Sequence, residues 1–302
     1  MATYHSGELS VQRRAGLQGR AESALRAIKT ALPEVAMAFL SQQPMIVVGA
    51  ADPSGRLWAT LLTGEPGFLQ PTETELFVKA LPHPEDPLAE SLAAPAKVGM
   101  IAIEPDTRRR MRINGTSSPV PGGLLVAFDQ VIANCPKYIQ QRTPAPAPAP
   151  SGPREVLRGS ELTPSQRRAV QEADTFFIAT ASPEGDADAS HRGGNPGFLQ
   201  ALSPTRLRWP DYPGNTMFLT LGNLELNPAA GLVVPDWANG SLLHLTGTAE
   251  TVWDEDEAAA FPGAQRLVDF TIEEVREATS AVPLTWTAPG YSKFNPPTPL
   301  PL

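Results

Sequence analysis

The sequence predicts a mainly β protein with short helices, built from two tandem β-barrel domains. Residues 47–70 and 177–200 align without a gap at an offset of 130, with ten identities in 24 positions. A Pro- and Ala-rich segment, 143–153, separates the two copies. Short apolar runs end at Gly and Pro turns, and the 302 residues include 33 Pro and 24 Gly. A repeat of this size indicates one domain present twice, and short strands with such turns are typical of barrels and sandwiches.

The Pro-rich segment sets the expected domain boundaries. Alternating proline fixes φ and favours an extended polyproline II spacer. We therefore expect a first domain over 1–142, a linker over 143–153 and a second domain over 154–302.

Helices are expected near the start of each domain. Apolar residues at helical spacing predict a helix over 21–31, and a second helix is expected to follow Pro33. In the second domain Thr163 is a potential N-cap before Pro164, which predicts a helix over 165–173.

Most other segments have strand character, because they are short, apolar and bounded by turn residues. The predicted strands are 45–50, 57–62, 75–78, 98–103, 111–115, 124–132, 176–181, 187–191, 206–209, 217–221, 231–234, 242–247 and 249–253.

Composition excludes several classes of function. A net charge of −8 argues against a broad nucleic-acid or anionic-membrane surface. No apolar run approaches the roughly 20 residues that span a bilayer, and the amino terminus lacks the apolar core of a signal peptide. The single Cys135 and four scattered histidines form no metal-ligand spacing. We expect a cytoplasmic protein without metal, nucleic-acid or membrane partners.

The two copies differ most at one polar segment. Residues 60–63 are Thr-Leu-Leu-Thr in the first copy, whereas residues 190–193 are Ser-His-Arg-Gly in the second. Arg192 offers a planar fork of donors suited to phosphate or a carbonyl edge, and Gly193 and Gly194 permit close approach of a ligand. The alternative is a loop whose arginine makes a surface ion pair. The asymmetry predicts chemistry on one side only.

Two further segments are rich in hydrogen-bonding groups. Residues 209–223 contain amides, hydroxyls and Gly that suit an anion, although a β-turn followed by a strand is the alternative. Residues 134–140 end the first domain and are placed to reach the second. For Cys135 the alternative is a small buried apolar residue, and for Lys137 a solvated charge.

Taken together, these segments resemble the pyridoxamine 5'-phosphate oxidase-like FMN-binding split-barrel proteins, in particular their tandem-barrel branch. The resemblance rests on Tyr4-His5-x-Gly7-Glu8, Thr63-Gly64-x-Pro66-Gly67-Phe68, Asn134-Cys135-Pro136-Lys137-Tyr138-Ile139, Ser190-His191-Arg192-Gly193-Gly194-x-Pro196-Gly197-Phe198, Gly214-Asn215, Thr220-Leu221-Gly222-Asn223 and Leu245-Thr246-Gly247. These segments span nearly the whole chain in collinear order.

The resemblance implies two tandem split barrels with one FMN between them, held mostly by the second. The implied cofactor-binding residues are Ser190, Arg192, Gly193, Gly194, Asn215, Thr216, Thr220, Asn223, Asn134, Cys135 and Lys137. His191 and Tyr138 are the candidate proton donors. The related oxidases have a basic pair after the Gly-Asn turn, where this chain has Thr216-Met217, which leaves Arg192 and Lys137 as the cations for a phosphate.

The implied function is an FMN-dependent oxidoreductase acting on an unidentified small molecule. Its electron donor would be NAD(P)H or a separate reductase, and the chain would be a monomeric pseudo-dimer or a homodimer. The main alternative is a non-catalytic flavin or haem carrier, because a fold does not fix a function. A purely structural tandem domain is the third possibility.

Overall fold

The computed structural model describes residues 3–133, 136–146 and 154–298. In the first repeat the helices are α1 (Ser6–Arg14), α2 (Gln18–Leu25) and α3 (Glu34–Ser41), with a short 3-10 turn at Ser91–Ala93. Its strands are β1 (Ile28–Lys29), β2 (Met45–Ala51), β3 (Leu57–Thr63), β4 (Leu69–Pro71), β5 (Glu75–Val78), β6 (Ala96–Glu104), β7 (Arg109–Val120) and β8 (Gly123–Ala133).

The second repeat contains the remaining elements. Its strands are β9 (Pro144–Pro146), β10 (Val156–Gly159), β11 (Thr175–Ala181), β12 (Ala187–Gly193), β13 (Gln200–Ser203), β14 (Arg206–Asp211), β15 (Ala229–Pro235), β16 (Leu242–Val252), β17 (Arg266–Ala278) and β18 (Leu284–Trp286). Its helices are α4 (Pro164–Glu172), α5 (Leu219–Leu226) and α6 (Glu255–Ala259).

Both repeats fold into an eight-stranded sheet with the same topology. The first sheet, called the first barrel below, has the order β3-β2-β6-β7-β8-β5-β4, with β1 on β8. The second barrel has the order β12-β11-β15-β16-β17-β14-β13, with β10 on β17. The terminal strands of each path are not paired with one another among the described strands, so each barrel is split. The predicted fold class of two tandem split barrels is confirmed.

The strands where the barrels meet are buried on both faces. Along β2, Ile46 and Val48 point into the core of the first barrel. Met45 and Val47 lie on the other face of β2 and pack with Phe177 of β11 in a separate core between the barrels. Because side chains alternate along a strand, one apolar run supplies both cores. This explains why β2 and β11 are almost uninterrupted apolar sequences.

Two glycines at equivalent places in the repeats allow this close packing. A Cβ on Gly99 would lie 2.4 Å from the Cα of Asp188, and a Cβ on Gly231 would lie 2.4 Å from the carbonyl oxygen of Leu57. Gly99 and Gly231 are 132 residues apart, the same offset that relates 114–116 to 246–248. The barrels therefore meet as a pseudo-twofold pair within one chain.

Several local predictions differ from the structure. The helix at 165–173 is confirmed as α4, with a Thr163 capping box. The helix predicted over 21–31 ends at Leu25, because Ile28–Lys29 pair with β8. The long strand β17 was not predicted.

The strand predicted over 217–221 is wrong, since helix α5 begins at Leu219. Six consecutive residues at the start of α5 are buried, so neither a two-residue nor a helical period is visible in the sequence. Contact with α1 of the first repeat decides the conformation.

Part of the predicted linker is paired. Strand β9 forms an antiparallel pair with β18, in which Ala145 faces Thr285. Residues 147–153 lie outside the described part. Within the described ranges, no helix combines the length and apolarity that crossing a bilayer requires.

Candidate functional site

A cleft of about 110 Å³ lies where the two barrels meet. Its walls are β7 and the segment after β8 from the first repeat, together with β12 and the loop before α5 from the second. The predicted site residues that line it are Lys137, Tyr138, Ser190, His191, Arg192, Gly193, Asn215, Thr216 and Thr220. Gly194 and Asn223 do not line it. Asn134 and Cys135 lie outside the described residues.

Cationic side chains from both barrels converge on the cleft. Arg110 and Arg112 come from one face of β7, and Arg192 comes from β12. Lys137 follows β8. The lining residues include one carboxylate, Asp211, against these four cations, so the cleft is suited to an anionic ligand.

The sequence interpretation missed Arg110 and Arg112. Both lie in the basic run Arg108-Arg109-Arg110-Met111-Arg112. The repeat aligns Arg112 with His244 at the offset of 132. Because the repeat already implied a site between the barrels, this alignment was the signal that could have placed β7 in it.

The carboxylate of Asp211 is held by a buried arginine. Arg266 Nε lies 3.0 Å from Asp211 Oδ2, and its guanidinium packs against the rings of Phe218 and Trp253. Burial raises the pKa of Asp211, while Arg266 and then Arg192 oppose the shift. The ion pair with Arg266 holds Asp211 in place at the wall of the cleft. Asp211 is thus already neutralised by Arg266 and does not cancel the positive charge of Arg192.

Ser190 joins the two barrels rather than presenting a free hydroxyl. Its Oγ accepts from Arg112 Nη2 at 2.5 Å, donates to Asp188 Oδ2 at 3.2 Å and lies 2.8 Å from Thr220 Oγ1. Arg112 Nη1 also lies 3.0 Å from Asp188 Oδ1. Ser190 is fully buried, so this network ties β12 to β7 and to the start of α5.

His191 points to the opposite face of β12, as strand alternation predicts. Its ring packs edge-on against Phe177, and Arg110 Nη1 lies 3.0 Å from its Nδ1. Burial, and then the charges of Arg110 and Arg192, hold the pKa of His191 well below its usual value. Because arginine can only donate, Nδ1 accepts and the proton of the neutral ring is on Nε2. Within the described residues this buried Nε2 has no hydrogen-bond partner.

The loop before α5 has an unusual backbone. Thr216 and Phe218 adopt positive φ values of 64° and 61°. The Asn215 side-chain oxygen accepts from the Met217 N–H at 3.2 Å. Phe218 is the N-cap of α5 and makes no side-chain cap hydrogen bond. Left-handed non-glycine residues cost about 1–3 kcal/mol each and cluster at ligand sites.

Two tyrosines connect the walls of the cleft. The Tyr138 hydroxyl donates to the Pro213 carbonyl oxygen at 3.1 Å, and its ring centroid lies 5.1 Å from that of Tyr212. Tyr138 also has a positive φ, 67°. Burial raises the pKa of Tyr212 to about 12. The Tyr212 phenol is therefore protonated near neutral pH.

The two glycines of the polar segment make room for protein atoms, and their role toward a ligand stays a prediction. A Cβ on Gly193 would lie 2.0 Å from the Tyr138 carbonyl oxygen. A Cβ on Gly194 would lie 2.6 Å from the Phe198 ring. These positions require glycine whether or not a ligand binds.

Asn223 supports the amino-terminal helix. Its side-chain oxygen lies 3.0 Å from His5 Nε2, and its amide donates to Thr180 Oγ1 at 3.0 Å. A Cβ on Gly7 of α1 would lie 2.1 Å from the Gly222 carbonyl oxygen. Asn223 thus lines a neighbouring cavity of about 430 Å³ and acts through helix packing.

The pseudo-symmetric counterpart of the cleft is a closed polar core. Thr60, which aligns with Ser190, donates to Asp86 Oδ2 and lies 3.2 Å from His244 Nε2. Thr60 and His244 are 0% and 1% exposed, respectively. Leu62, in place of Arg192, is buried in the barrel core. The expected asymmetry between the two sides is thus present in the packing.

Comparison with known proteins adds to these observations. Residues 162–282 match the family model described as pyridoxamine 5'-phosphate oxidase. No curated protein matches the chain significantly.

Several solved structures are similar to part of the chain. A candidate pyridoxamine 5'-phosphate oxidase from Lactobacillus delbrueckii is 24% identical, covers 39% of this chain and 94% of its own, and gives a TM-score of 0.33. HupZ from Group A Streptococcus is 14% identical, with 37% and 90% coverage and a TM-score of 0.32. An FAD-binding protein from Mesorhizobium loti is 15% identical, with 42% and 99% coverage and a TM-score of 0.29.

The family match covers β11 to β17, and thus most of the second barrel. The first barrel repeats its strand order and part of its sequence. The second barrel is therefore similar to the pyridoxamine 5'-phosphate oxidase family, over a match that covers less than half of the chain.

Proposed function

We propose that this protein is an FMN-dependent oxidoreductase that acts on a small molecule, with FMN bound in the cleft between the two barrels. The observation that carries the proposal is the donor set of the cleft. Four cationic side chains and one carboxylate line it, and the buried Nε2–H of neutral His191 lies beside them. Such a set fits a ligand that has both an anionic group and hydrogen-bond acceptors.

The phosphate would be held by Arg192 and Lys137. The two carboxylates whose charges act on Arg192 are already paired, Asp188 with Arg112 and Asp211 with Arg266. The start of α5 adds the positive end of a helix dipole and lacks a side-chain cap.

The isoalloxazine ring would supply the hydride or electron transfer, and the protein would supply binding, orientation and hydrogen bonds. His191 is placed to donate from Nε2 to an acceptor, while Arg110 fixes its tautomer. Tyr138, whose hydroxyl donates to the Pro213 carbonyl oxygen at the wall of the cleft, is the candidate proton donor to the substrate.

Binding requires the cleft to widen. Its volume of about 110 Å³ is smaller than typical ligand pockets, which are roughly 300–1,000 Å³. The Tyr138–Tyr212 contact joins its two walls across the repeats. We infer that these rings separate when FMN enters.

One FMN per chain follows from the asymmetry of the repeats, since the Thr60–His244 counterpart is closed. Electrons would come from NAD(P)H or from a separate reductase. A monomer is sufficient for the site, because one chain supplies both barrels; a homodimer would contain two such sites.

The experiment is a visible absorption spectrum of protein purified without added cofactor, with the chromophore identified after denaturation. A flavin spectrum and released FMN are expected. Arg192→Ala should weaken FMN binding about 10- to 100-fold, because one charge-assisted contact is lost. Arg206→Ala, an exposed arginine on the same barrel, is the matched control. Wild-type FMN affinity in Arg192→Ala would refute the phosphate assignment.

A non-catalytic flavin or haem carrier is the second candidate. It is favoured by the lowered pKa of His191, which leaves the ring neutral near pH 7. Bound FMN that neither NADH nor NADPH reduces, and that no added flavin reductase reduces, would support a carrier. A haem spectrum would support the haem-binding form of this alternative.

A further inference from the structure

A second cavity, of about 500 Å³, lies on the side of the second barrel where α4 and the β15–β16 hairpin meet the carboxyl-terminal segment. Its lining includes Arg142, Asp174, Trp237 and Trp286. None of these residues lines the proposed FMN cleft. The volume is within the range of small-molecule sites.

Three buried donors in the walls of this cavity have no hydrogen-bond partner within the described ranges. They are the indole Nε1 atoms of Trp237 and Trp286 and the Nε of Arg142. The three side chains are 8%, 7% and 8% exposed, respectively. A buried indole N–H usually has a partner, since an unpaired donor is costly. Three such donors in one cavity indicate an acceptor-bearing ligand.

The chain holds these side chains firmly. The backbone N–H of Trp286 donates to the Trp237 carbonyl oxygen at 2.8 Å, and the two indole rings meet edge-to-face with their centroids 4.8 Å apart. The Arg142 guanidinium lies 5.6 Å from the Trp237 ring centroid, donates to the Thr287 carbonyl oxygen and pairs with Asp174. The pairing of β9 with β18 fixes the backbone that carries Trp286 at the edge of this cavity.

The residues that line this cavity carry a net negative charge, which disfavours an anionic ligand. Asp174 offsets Arg142, and Glu172, Asp236 and Glu277 add further negative charge. Glu277 accepts from Gln166, and Asp236 accepts within its own turn. A carboxylate ligand would thus meet a net negative wall, whereas a neutral acceptor would not.

We propose that this cavity binds a small neutral aromatic molecule that carries a carbonyl or carboxamide group. The carbonyl oxygen accepts from an indole N–H or from Arg142 Nε, and the ring packs among the tryptophans and the apolar residues Ala169, Val234 and Pro289. A primary amide can also donate to the rim carboxylates. Because these donors are buried, we infer that the edges of the Trp237 and Trp286 rings turn toward the cavity when the ligand binds.

The test uses the full chain labelled with [15N]tryptophan and titrated with benzamide. The protein has five tryptophans and so gives five indole N–H signals. We expect two of them to shift downfield in a saturable manner, assigned to Trp237 and Trp286 by their loss in Trp237→Phe and Trp286→Phe. Trp58, Trp209 and Trp253 serve as internal controls. No saturable shift, or equal shifts of all five signals, would overturn the proposal.

Dissociation constants for benzamide and benzoate test the indole hydrogen bonds and the preference for a neutral ligand separately. Each Phe variant should bind benzamide about 3- to 10-fold more weakly, as expected for one lost hydrogen bond, and Trp253→Phe should not differ from wild type. The other four indole signals report whether each variant is folded. Benzoate, the anionic analogue, should bind at least about 10-fold more weakly than benzamide. Equal or tighter binding of benzoate would overturn the neutral-ligand assignment.

Discussion

Arg112 of the first barrel donates to the hydroxyl of Ser190 on the second at 2.5 Å, across the boundary of the two repeats. At the pseudo-symmetric position Thr60 and His244 are 3.2 Å apart. The same backbone positions thus meet twice in one chain, once beside an open cleft and once in a closed core. Duplication within a chain frees each side to diverge, which a homodimer with identical subunits cannot do.

The Arg112–Asp188 pair gives the first prediction. Both side chains are buried, so removing one partner leaves an uncompensated charge. Arg112→Met should lower the free energy of unfolding by about 3–5 kcal/mol, measured by urea denaturation. In the double variant Arg112→Met/Asp188→Asn the loss should be smaller than in the single variant. An equal or larger loss in the double variant would show that the cost is packing and not charge.

The second prediction concerns the protonation of His191. Its folded-state pKa is lowered, so the unfolded chain binds a proton more readily below its ordinary pKa of about 6.5. The stability contribution is therefore complete above that pH and is lost as pH falls. Imidazole nitrogen NMR should show a neutral ring with the proton on Nε2 from about pH 7.5 to 5.5. Loss of the signals in His191→Gln assigns them, and a titration midpoint near 6.5 would contradict the result.

The fold was more predictable from the sequence than the site. The ten identities between the repeats fix the duplication, and the Gly and Pro turns delimit most strands. Where the predicted secondary structure is wrong, contacts between elements distant in sequence determine the conformation. Leu219 begins a helix because α5 packs between α1 and the second barrel. The local sequence pattern does not indicate that contact.

The candidate site was half predictable for a different reason. The polar segment at 190–193 stood out against its apolar copy, and the structure brings it to the cleft. Arg110 and Arg112 are distant in sequence from residues 190–193. They contact that segment only because the two barrels pack as a pseudo-twofold pair. Asp211 and Arg266 are likewise joined only across β14 and β17. The pattern in a single sequence predicts which residues share a face of a strand. It does not predict which faces of different strands pack together.

Glu8 supports a third prediction, on alkaline stability. Burial, with a smaller effect of Asp188, raises the pKa of Glu8 to about 8, although the His5 N–H opposes the shift. Because the folded pKa lies above the ordinary value of about 4.5, its contribution to stability is complete below that pH and is lost as pH rises through 8. The loss is at most about 5 kcal/mol.

Glu8→Gln tests this effect with little other change, because Gln also fits the capping box with His5. The difference in unfolding free energy between variant and wild type, measured by denaturation from pH 5 to 9, should shift in favour of the variant as pH rises. A difference independent of pH would show that Glu8 does not titrate in this range.

The close approach of α1 to α5 gives the last prediction. Gly7→Ala would place a Cβ 2.1 Å from the Gly222 carbonyl oxygen, so the helices must separate and the His5–Asn223 contact must lengthen. Alanine is favoured over glycine in a helix by about 1 kcal/mol, yet we expect net destabilisation of about 1–3 kcal/mol from overpacking.

Gly19→Ala in α2 separates these opposing effects, because nothing lies within 4 Å of a Cβ at that position. This variant should be stabilised by up to about 1 kcal/mol through helix propensity alone. Thermal and urea unfolding of both variants measure the contrast. If Gly7→Ala were as stable as Gly19→Ala, α1 would not pack against α5 as closely as described. The amino-terminal helix would then have no part in holding the α5 end of the cleft.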